Sequence, residues 1–388
     1  MLGPFKALIE GNKKTIDYAG NRIFKKIRDV NNVEINEEYI ERRIRNLAYP
    51  GRVWKSLVEI NNTIYSSVVE YFKKKLRAKY VLVPLTSRMI SSPGAVYGKE
   101  KLDYTQDTIP IKLKWFNEGS TFLTESSQLY LELYLLIDGI DHVFTINNSF
   151  RKELADFVHL PEFRHVEYEG HVPQTENEDI ISGLLMKIIK NILMLNEEHL
   201  RTFLTKEDIR DLDSLTRSYG FKKIEFKKTL EILYNLTGDK KYLKFTSKYW
   251  GSWEEAFVSG YFNKILVVKE FPLLEVAFYH HAKGKVYDEN SGKYVWIADN
   301  ADFIFPNYKE IVGSGYRVDN IKELKWKAKL FNLPKKDYEP YFKSRTHPNY
   351  KPSSGFGLGW ERLLHALLRM PTIVDVCYIP RIHSTSHP

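Results

Sequence analysis

Along residues 54–76 the apolar positions Leu57, Ile60, Ile64, Val68 and Phe72 recur near every 3.6 residues. That period predicts a long helix with one buried face. Residues 80–84 then read as a strand and stop at Pro84, which cannot donate to a ladder. Further on the period shortens to two: residues 108–115, 120–124, 143–147 and 165–168 alternate as half-buried strands do. Residues 179–195 return to a helical period, and a charged, helical-looking stretch runs on to about Gly238. Residues 265–268, 275–280, 295–305 and 316–318 are further strand candidates. Residues 360–370 show helical spacing and meet Pro371. Near the start, residues 39–47 are amphipathic after Asn36-Glu37-Glu38, and residues 13–30 hold one or two strands or an irregular arm. Strands flanked by helices, without regular strand–helix alternation, predict an α+β fold with an antiparallel sheet. No internal repeat or low-complexity tract interrupts the chain.

The segment before the last helix is Ser354-Gly355-Phe356-Gly357-Leu358-Gly359, followed by Trp360-Glu361-Arg362. Glycines at alternate positions let a ligand lie against the backbone, where a Cβ would collide. Arg362 falls in the first helical turn, where a permanently charged guanidinium suits a phosphate. A tight strand-to-helix joint uses the same glycines, so this segment alone leaves both readings open.

The 388 residues, 43% hydrophobic and 14% aromatic, suffice for one large domain with an accessory element. No apolar run approaches the ~20 residues of a membrane-spanning helix. Met1-Leu2-Gly3-Pro4-Phe5-Lys6 lacks a signal-peptide core. The single cysteine, Cys377, excludes an internal disulfide framework and a cysteine-only zinc site, and predicts a cytoplasmic protein. The net charge of +9 suits nucleotides or RNA, but Lys73-Lys74-Lys75, Lys240-Lys241 and Lys335-Lys336 are short groups of solvated-face type. His280 and His281, adjacent on a strand, would point to opposite faces and so make a poor zinc pair.

Phe150-Arg151-Lys152-Glu153, a short loop, then His159-Leu160-Pro161-Glu162-Phe163 precede the glycine segment by about 200 residues. Together with Gly355-Phe356-Gly357-Leu358-Gly359-Trp360-Glu361-Arg362 they resemble motifs 2 and 3 of class II aminoacyl-tRNA synthetases, in the asparaginyl/aspartyl subgroup. Phe122-Leu123-Thr124-Glu125-Ser126-Ser127-Gln128-Leu129-Tyr130-Leu131-Glu132 resembles the subgroup's amino-acid-binding segment. Asp302-Phe303-Ile304-Phe305-Pro306 and Glu310-Ile311-Val312-Gly313-Ser314-Gly315-Tyr316-Arg317 resemble its metal and substrate strands. Val374-Asp375 and Ile379-Pro380-Arg381 resemble its closing segment. The resemblance implies an N-terminal arm (1–35) and a catalytic domain (36–388) with a helical insertion at about 196–250.

The resemblance also implies roles. Arg151 would hold the α-phosphate of ATP and Arg362 the γ-phosphate, both as catalytic residues. Glu153, His159, Phe163, Gly357 and Gly359 would complete the ATP site, Phe163 by stacking on adenine. Asp302 and Glu310 would hold Mg2+. Ser127, Gln128, Glu132 and Arg317 would hold the amino acid. Glu132 stands where the asparaginyl enzymes have a glutamate and the aspartyl enzymes a lysine, which favours asparagine on charge. The helix and strand at 54–84 would form a homodimer interface.

Four features shape the expected activity. Leu154-Ala155-Asp156-Phe157-Val158 is apolar where relatives carry a polar loop with an arginine before the histidine. Residues 1–35 are too few for the five-stranded anticodon-binding barrel of tRNA-charging relatives. Pro84-Leu85-Thr86-Ser87-Arg88 resembles a segment of ammonia-dependent asparagine synthetase. The acidic pair after Trp250-Gly251 also falls out of the asparaginyl register. The expectation is an ATP-dependent ligase that activates aspartate, asparagine or a related amino acid as aminoacyl-AMP. It would pass the product to a small nucleophile such as ammonia, with tRNA a disfavoured partner. A compact asparaginyl-tRNA synthetase is the alternative, and a non-catalytic synthetase-like module the second.

Overall fold

The three glycines sit in the middle of an eight-stranded sheet. Its strand order is Lys79–Tyr80, His142–Phe150, Glu162–Gly170, Ser354–Gly359, Glu310–Tyr316, Asn300–Ile304, Ile265–Lys269 and Phe221–Glu225. The six central strands pair antiparallel, and each edge strand joins in parallel. The computed structural model describes residues 3–18, 36–47, 51–91, 94–96, 102–111, 121–217 and 220–382.

Strand alternation divides the sheet into two faces. Val166, Tyr168, Phe356 and Leu358 point to one, with Phe144. Two helices cover it, Arg52–Glu70 and Gln174–Leu195, burying Leu57, Ile60, Ile64 and Val68 from one and Ile181, Leu184, Leu185 and Ile188 from the other. Phe72 lies flat against Phe144 at 4.7 Å and Tyr168 at 5.5 Å between ring centres. The opposite face carries Phe163, His165, Glu167 and Glu169 beside Gly355, Gly357 and Gly359. One face is therefore core and the other is polar and lined by backbone.

Several elements differ from their sequence pattern. The long helix closes with a π-helical turn, Tyr71–Lys75. The strand that joins the sheet is Lys79–Tyr80, so of the expected 80–84 only Tyr80 takes part, although the Val81 N–H still donates to the Phe144 carbonyl at 3.0 Å. Residues 275–280 are not a strand: a short helical turn, Leu273–Glu275, precedes them, and Phe278 and Tyr279 plug a separate apolar cluster instead of alternating. Residues 295–305 are two strands. Lys293–Ala298 pairs with Ala282–Asp288 in a separate hairpin, and Asn300–Ile304 joins the main sheet. The 196–250 stretch is not all helical, because Phe221–Glu225 adds the far edge strand beside Ile265–Lys269. Residues 110–111 and 121–123 form strands, whereas 112–120 lie outside the described residues.

The N-terminal segment is a tight hairpin, Phe5–Glu10 against Lys13–Tyr18; residues 19–35 lie outside the described residues. Phe5 packs against Phe157, Tyr308 and His365, and Trp253 donates its indole N–H to the Leu8 and Thr15 carbonyls. No described helix is long and apolar enough to cross a membrane.

Candidate active site

Two adjoining clefts open on the polar face. The first, about 570 Å3, is lined by Arg151, Glu153, His159, Phe163, Gly357, Gly359 and Arg362, with Glu310. The second, about 670 Å3, is lined by Ser126, Gln128, Glu167, Tyr279, His280, Asp302 and Arg317. Arg151, His165, Glu310 and Gly357 line both. A Cβ added at Gly357 would meet nothing nearer than Glu167 at 3.9 Å, so the glycine leaves room above the sheet. At Gly355 the requirement is the reverse: a Cβ there would strike Glu169, the Tyr168 carbonyl and Arg317, which cross over the bare backbone.

The first cleft gathers all seven residues expected to bind ATP. Arg151 follows the strand His142–Phe150, and its guanidinium lies 5.6 Å from the centre of the Phe163 ring. Its buried Nε has no partner among the described residues. Arg362 opens the last helix and donates from Nη1 to the Glu310 carbonyl at 3.3 Å. The Glu310 carboxylate lies 3.8 Å from the same nitrogen. His159 is turned by Asp156, which accepts from Nδ1 at 2.8 Å, and its Nε2 accepts from Lys309 at 3.1 Å. Burial, with Lys309 and Arg362 adding to it, holds the His159 pKa below the ordinary value, so the imidazole is neutral.

Asp302 and Glu310 converge above Gly313. Burial pushes the Asp302 pKa well up, and the Glu310 and Glu255 carboxylates add to it. Glu255 accepts from the Glu310 backbone N–H at 3.0 Å. Crowded carboxylates of this kind are oxygen donors of the type Mg2+ takes, and a cation would relieve their repulsion.

The second cleft is floored by Arg317. Glu169 grips it, accepting from Nη2 at 2.7 Å and from Nε at 3.0 Å, and Gln128 Oε1 accepts from Nη2 as well. Gln128 donates to the Phe356 carbonyl at 2.7 Å. Ser126 donates to Glu167, and the Ser127 N–H donates to the same carboxylate at 2.8 Å. Two expected residues fall outside the lining. Ser127 presents its backbone to Glu167 and its neighbour Ser126 lines the cleft instead. Glu132 lies behind Arg317, 4.0 Å from Nε, where it accepts from Tyr341 at 2.7 Å and from Arg345 at 2.5 Å. Glu169, Glu167, Ser126 and Lys309 were given no role in the sequence, and Glu255 was read only as part of an acidic pair out of register. Glu167 and Glu169 share a face with Phe163 and His165, a period-two signal that was there to be read.

His280 and His281 do point apart. His280 lines the second cleft, while His281 lies 3.3 Å from Glu323. Among the described residues no group of three or more metal-ligating side chains is assembled.

The family model for class II tRNA synthetases (D, K and N) matches residues 52–383. The chain belongs to this family. It is 28% identical over 291 residues to the asparagine–tRNA ligase of Clostridium tetani, an alignment covering 72% of this chain and 58% of that protein. It is 30% identical over 291 residues to that of Protochlamydia amoebophila, covering 72% and 57%. The chain thus spans under two thirds of the length of these relatives. Its fold is similar to that of asparaginyl-tRNA synthetase from Pyrococcus horikoshii, solved with asparaginyl-adenylate. That likeness has a TM-score of 0.73 at 23% identity, covering 94% of this chain and 78% of that one. The class II synthetase fold thus matches the α+β, antiparallel-sheet architecture expected from the sequence.

Proposed function

We propose that this chain is an ATP-dependent ligase that activates asparagine as asparaginyl-AMP and transfers it to tRNA. The observation that carries the reading is Arg151. It lines both clefts, and its Nε is buried without a hydrogen-bond partner among the described residues. An adenylate forms where a carboxylate meets an α-phosphate, and a guanidinium at that junction can serve both. In-line attack by the carboxylate oxygen forms the new O–P bond and breaks the bond to the leaving pyrophosphate. Arg151 would neutralise the charge that grows on the α-phosphate oxygens, and Phe163 would stack on the base. Asp302 and Glu310 would hold Mg2+, which would supply further charge neutralisation.

The acceptor differs from the one the sequence led us to favour. The apolar loop and the short segment before the catalytic resemblance pointed to ammonia. The relatives are named for charging tRNA, and nothing in the site favours a small nucleophile over it. The apolar loop also has a structural cause: Phe157 and Val158 are core residues. A homodimer through Arg52–Glu70 is part of the proposal. That helix and the strand after it expose Val58, Tyr65, Tyr80 and Leu82, apolar surface that an isologous contact would cover. A monomeric mass at micromolar concentration would remove the dimer.

ATP–pyrophosphate exchange across amino acids, with and without tRNA and ammonia, followed by aminoacylation of tRNA, tests the function. Asparagine should support exchange and then charge tRNA. Exchange with aspartate alone, and asparagine appearing when ammonia is added, would overturn the reading.

A further inference from the structure

Two elements rooted at the rim of the second cleft turn aromatic rings and lysines outward. The first is the hairpin of Ala282–Asp288 and Lys293–Ala298. Its register sets Lys285 opposite Trp296 and Tyr287 opposite Tyr294. Period two puts these four on one face, while Val286, Val295 and Ile297 pack the other into an apolar cluster. All four are exposed, Tyr294 by 68%. The Lys285 ammonium lies 4.4 Å from the centre of the Trp296 ring, and the two tyrosine rings are 5.3 Å apart. Three rings turned to water on one small face mark a contact surface.

The second element is the helix Ile321–Leu330. Lys322, Lys325 and Lys329 recur on one side of it at i, i+3 and i+7, all exposed, with Trp326 beside them. Its carboxylate, Glu323, is spent elsewhere: it pairs with Lys327 at 2.8 Å and His281 at 3.3 Å, and accepts from the Ala282 N–H at 3.0 Å. That last bond ties the helix to the foot of the hairpin, next to His280 in the second cleft. Exposed helix lysines elsewhere meet a carboxylate one turn away: Lys74 with Glu70 at 3.1 Å, Lys228 with Glu231 at 2.6 Å, Lys343 with Glu339 at 3.2 Å. On the hairpin, Glu270 takes up Lys283 at 2.7 Å, and Lys227 takes up Glu289 at 3.8 Å. Among the described residues no ion pair joins Lys285, Lys293, Lys322, Lys325 or Lys329 to a carboxylate. Unmatched cations in a row fit a chain of phosphates, and flat rings fit bases. A lipid surface would instead take the apolar side of the helix, but Leu324 and Ala328 are buried.

We propose that the outward faces of this hairpin and this helix form an RNA-binding surface. The rings of Tyr294 and Trp296 stack on unpaired bases, and the lysines of the helix hold the flanking phosphates. The inference rests on the tRNA reading above in taking tRNA as the RNA. Trp296 and Tyr294 stand two and four residues from Ala298, about 7 and 13 Å along the strand. Unpaired nucleotides stacked there lead toward the rim of the second cleft.

Fluorescence anisotropy tests it, with the full chain titrated across a salt series into labelled tRNA, single-stranded RNA, duplex RNA and poly-glutamate. The variants are K322Q/K325Q/K329Q and Y294A/W296A, and an unfolding midpoint near that of wild type shows that each is folded. The lysine variant should lose about tenfold or more in affinity for every RNA, and its slope of log K against log salt should shrink by about 2. The aromatic variant should keep that slope and lose about fivefold or more on single strands and tRNA, with duplex binding kept. An unchanged salt slope in the lysine variant, or equal losses on duplex and single strand in the aromatic one, would overturn the surface. Poly-glutamate bound as tightly as RNA would overturn the RNA assignment in favour of an acidic protein. Charging of tRNA by the lysine variant at the wild-type kcat/KM would overturn the surface and leave the ligase standing. tRNA held through these residues but never charged would overturn the ligase reading and leave the surface.

Discussion

The Phe5 ring meets Phe157 edge-on, with ring centres 5.5 Å apart and planes at 86°. The same ring lies over Tyr308 at 5.7 Å and meets the His365 imidazole at 5.5 Å. One hairpin side chain thus joins three segments around the first cleft: the loop between Glu153 and His159, the turn carrying Lys309 and Glu310, and the helix carrying Arg362. Phe5 is 2% exposed and Phe157 7%, so the contact is core packing.

Phe5→Ala should therefore weaken both stability and ATP binding. A buried phenylalanine cut to alanine costs about 3–5 kcal/mol, and the cavity would lie under the loop that positions His159. Denaturant unfolding and the ATP KM in exchange assays measure the two effects. A destabilised variant with an unchanged ATP KM would show that the loop holds its place without the hairpin.

His365 predicts an acid-side loss of stability. The Tyr308 hydroxyl donates to its Nδ1 at 2.7 Å, and its Nε2–H donates to the Met370 carbonyl at 2.8 Å. Burial holds its pKa down to about 3. The unfolded chain protonates the same imidazole near pH ~6.5, so below that pH the unfolded state binds the extra proton. Stability should fall as pH drops from ~6.5 toward 3, by about 1.4 kcal/mol per unit from this one group. Unfolding curves of wild type and His365→Gln at pH 7 and 5.5 isolate it, because the carboxylates titrate in both. Identical pH slopes would show that the imidazole protonates in place.

The grouping of the first cleft was legible because its parts are local: Arg151 to Phe163 and Gly355 to Arg362 are two continuous segments whose strands pair directly. The second cleft was less so. Glu132 has the right spacing from Gln128, but a helical turn placed it behind Arg317 with Arg345 and Tyr341, residues more than 200 positions away. Such long-range ion pairs leave no periodic signal. The strand expected at 275–280 failed for a related reason: Phe278 and Tyr279 are adjacent and both buried, so packing against Phe331 and Tyr338 overrode alternation. The Leu154–Val158 loop was legible as apolar, but its partner, Phe5, lies about 150 residues earlier.

Arg362→Ala should abolish exchange with the fold retained. Its nearest acceptors are the Glu310 carbonyl at 3.3 Å and the Glu310 carboxylate at 3.8 Å, too little to make it a structural anchor. Removing a cation that faces a reacting phosphate costs about 3 kcal/mol or more in the barrier. Exchange rates and the thermal midpoint should part company. A large drop in the midpoint would make Arg362 a structural ion-pair partner.

Selection between an amide and a carboxylate should rest on Glu169 more than on Glu132. Arg317 floors the second cleft, with Arg151 at the junction with the first, and Glu169 occupies Arg317 at 2.7 and 3.0 Å. A substrate carboxylate would therefore meet a guanidinium already neutralised, with Glu167 and Asp302 nearby, whereas a neutral amide meets no repulsion. Glu169→Gln keeps the shape and frees the positive charge, so the ratio of kcat/KM for aspartate over asparagine should rise by about tenfold or more. Glu132→Lys should act differently. It would set an ammonium against Arg345, leave two buried cations unpaired, and cost stability on the order of 3–5 kcal/mol without a matching gain for aspartate. Exchange assays with both amino acids, run beside unfolding curves, separate the two glutamates. A switch toward aspartate in Glu132→Lys, with Glu169→Gln silent, would return the selecting role to Glu132.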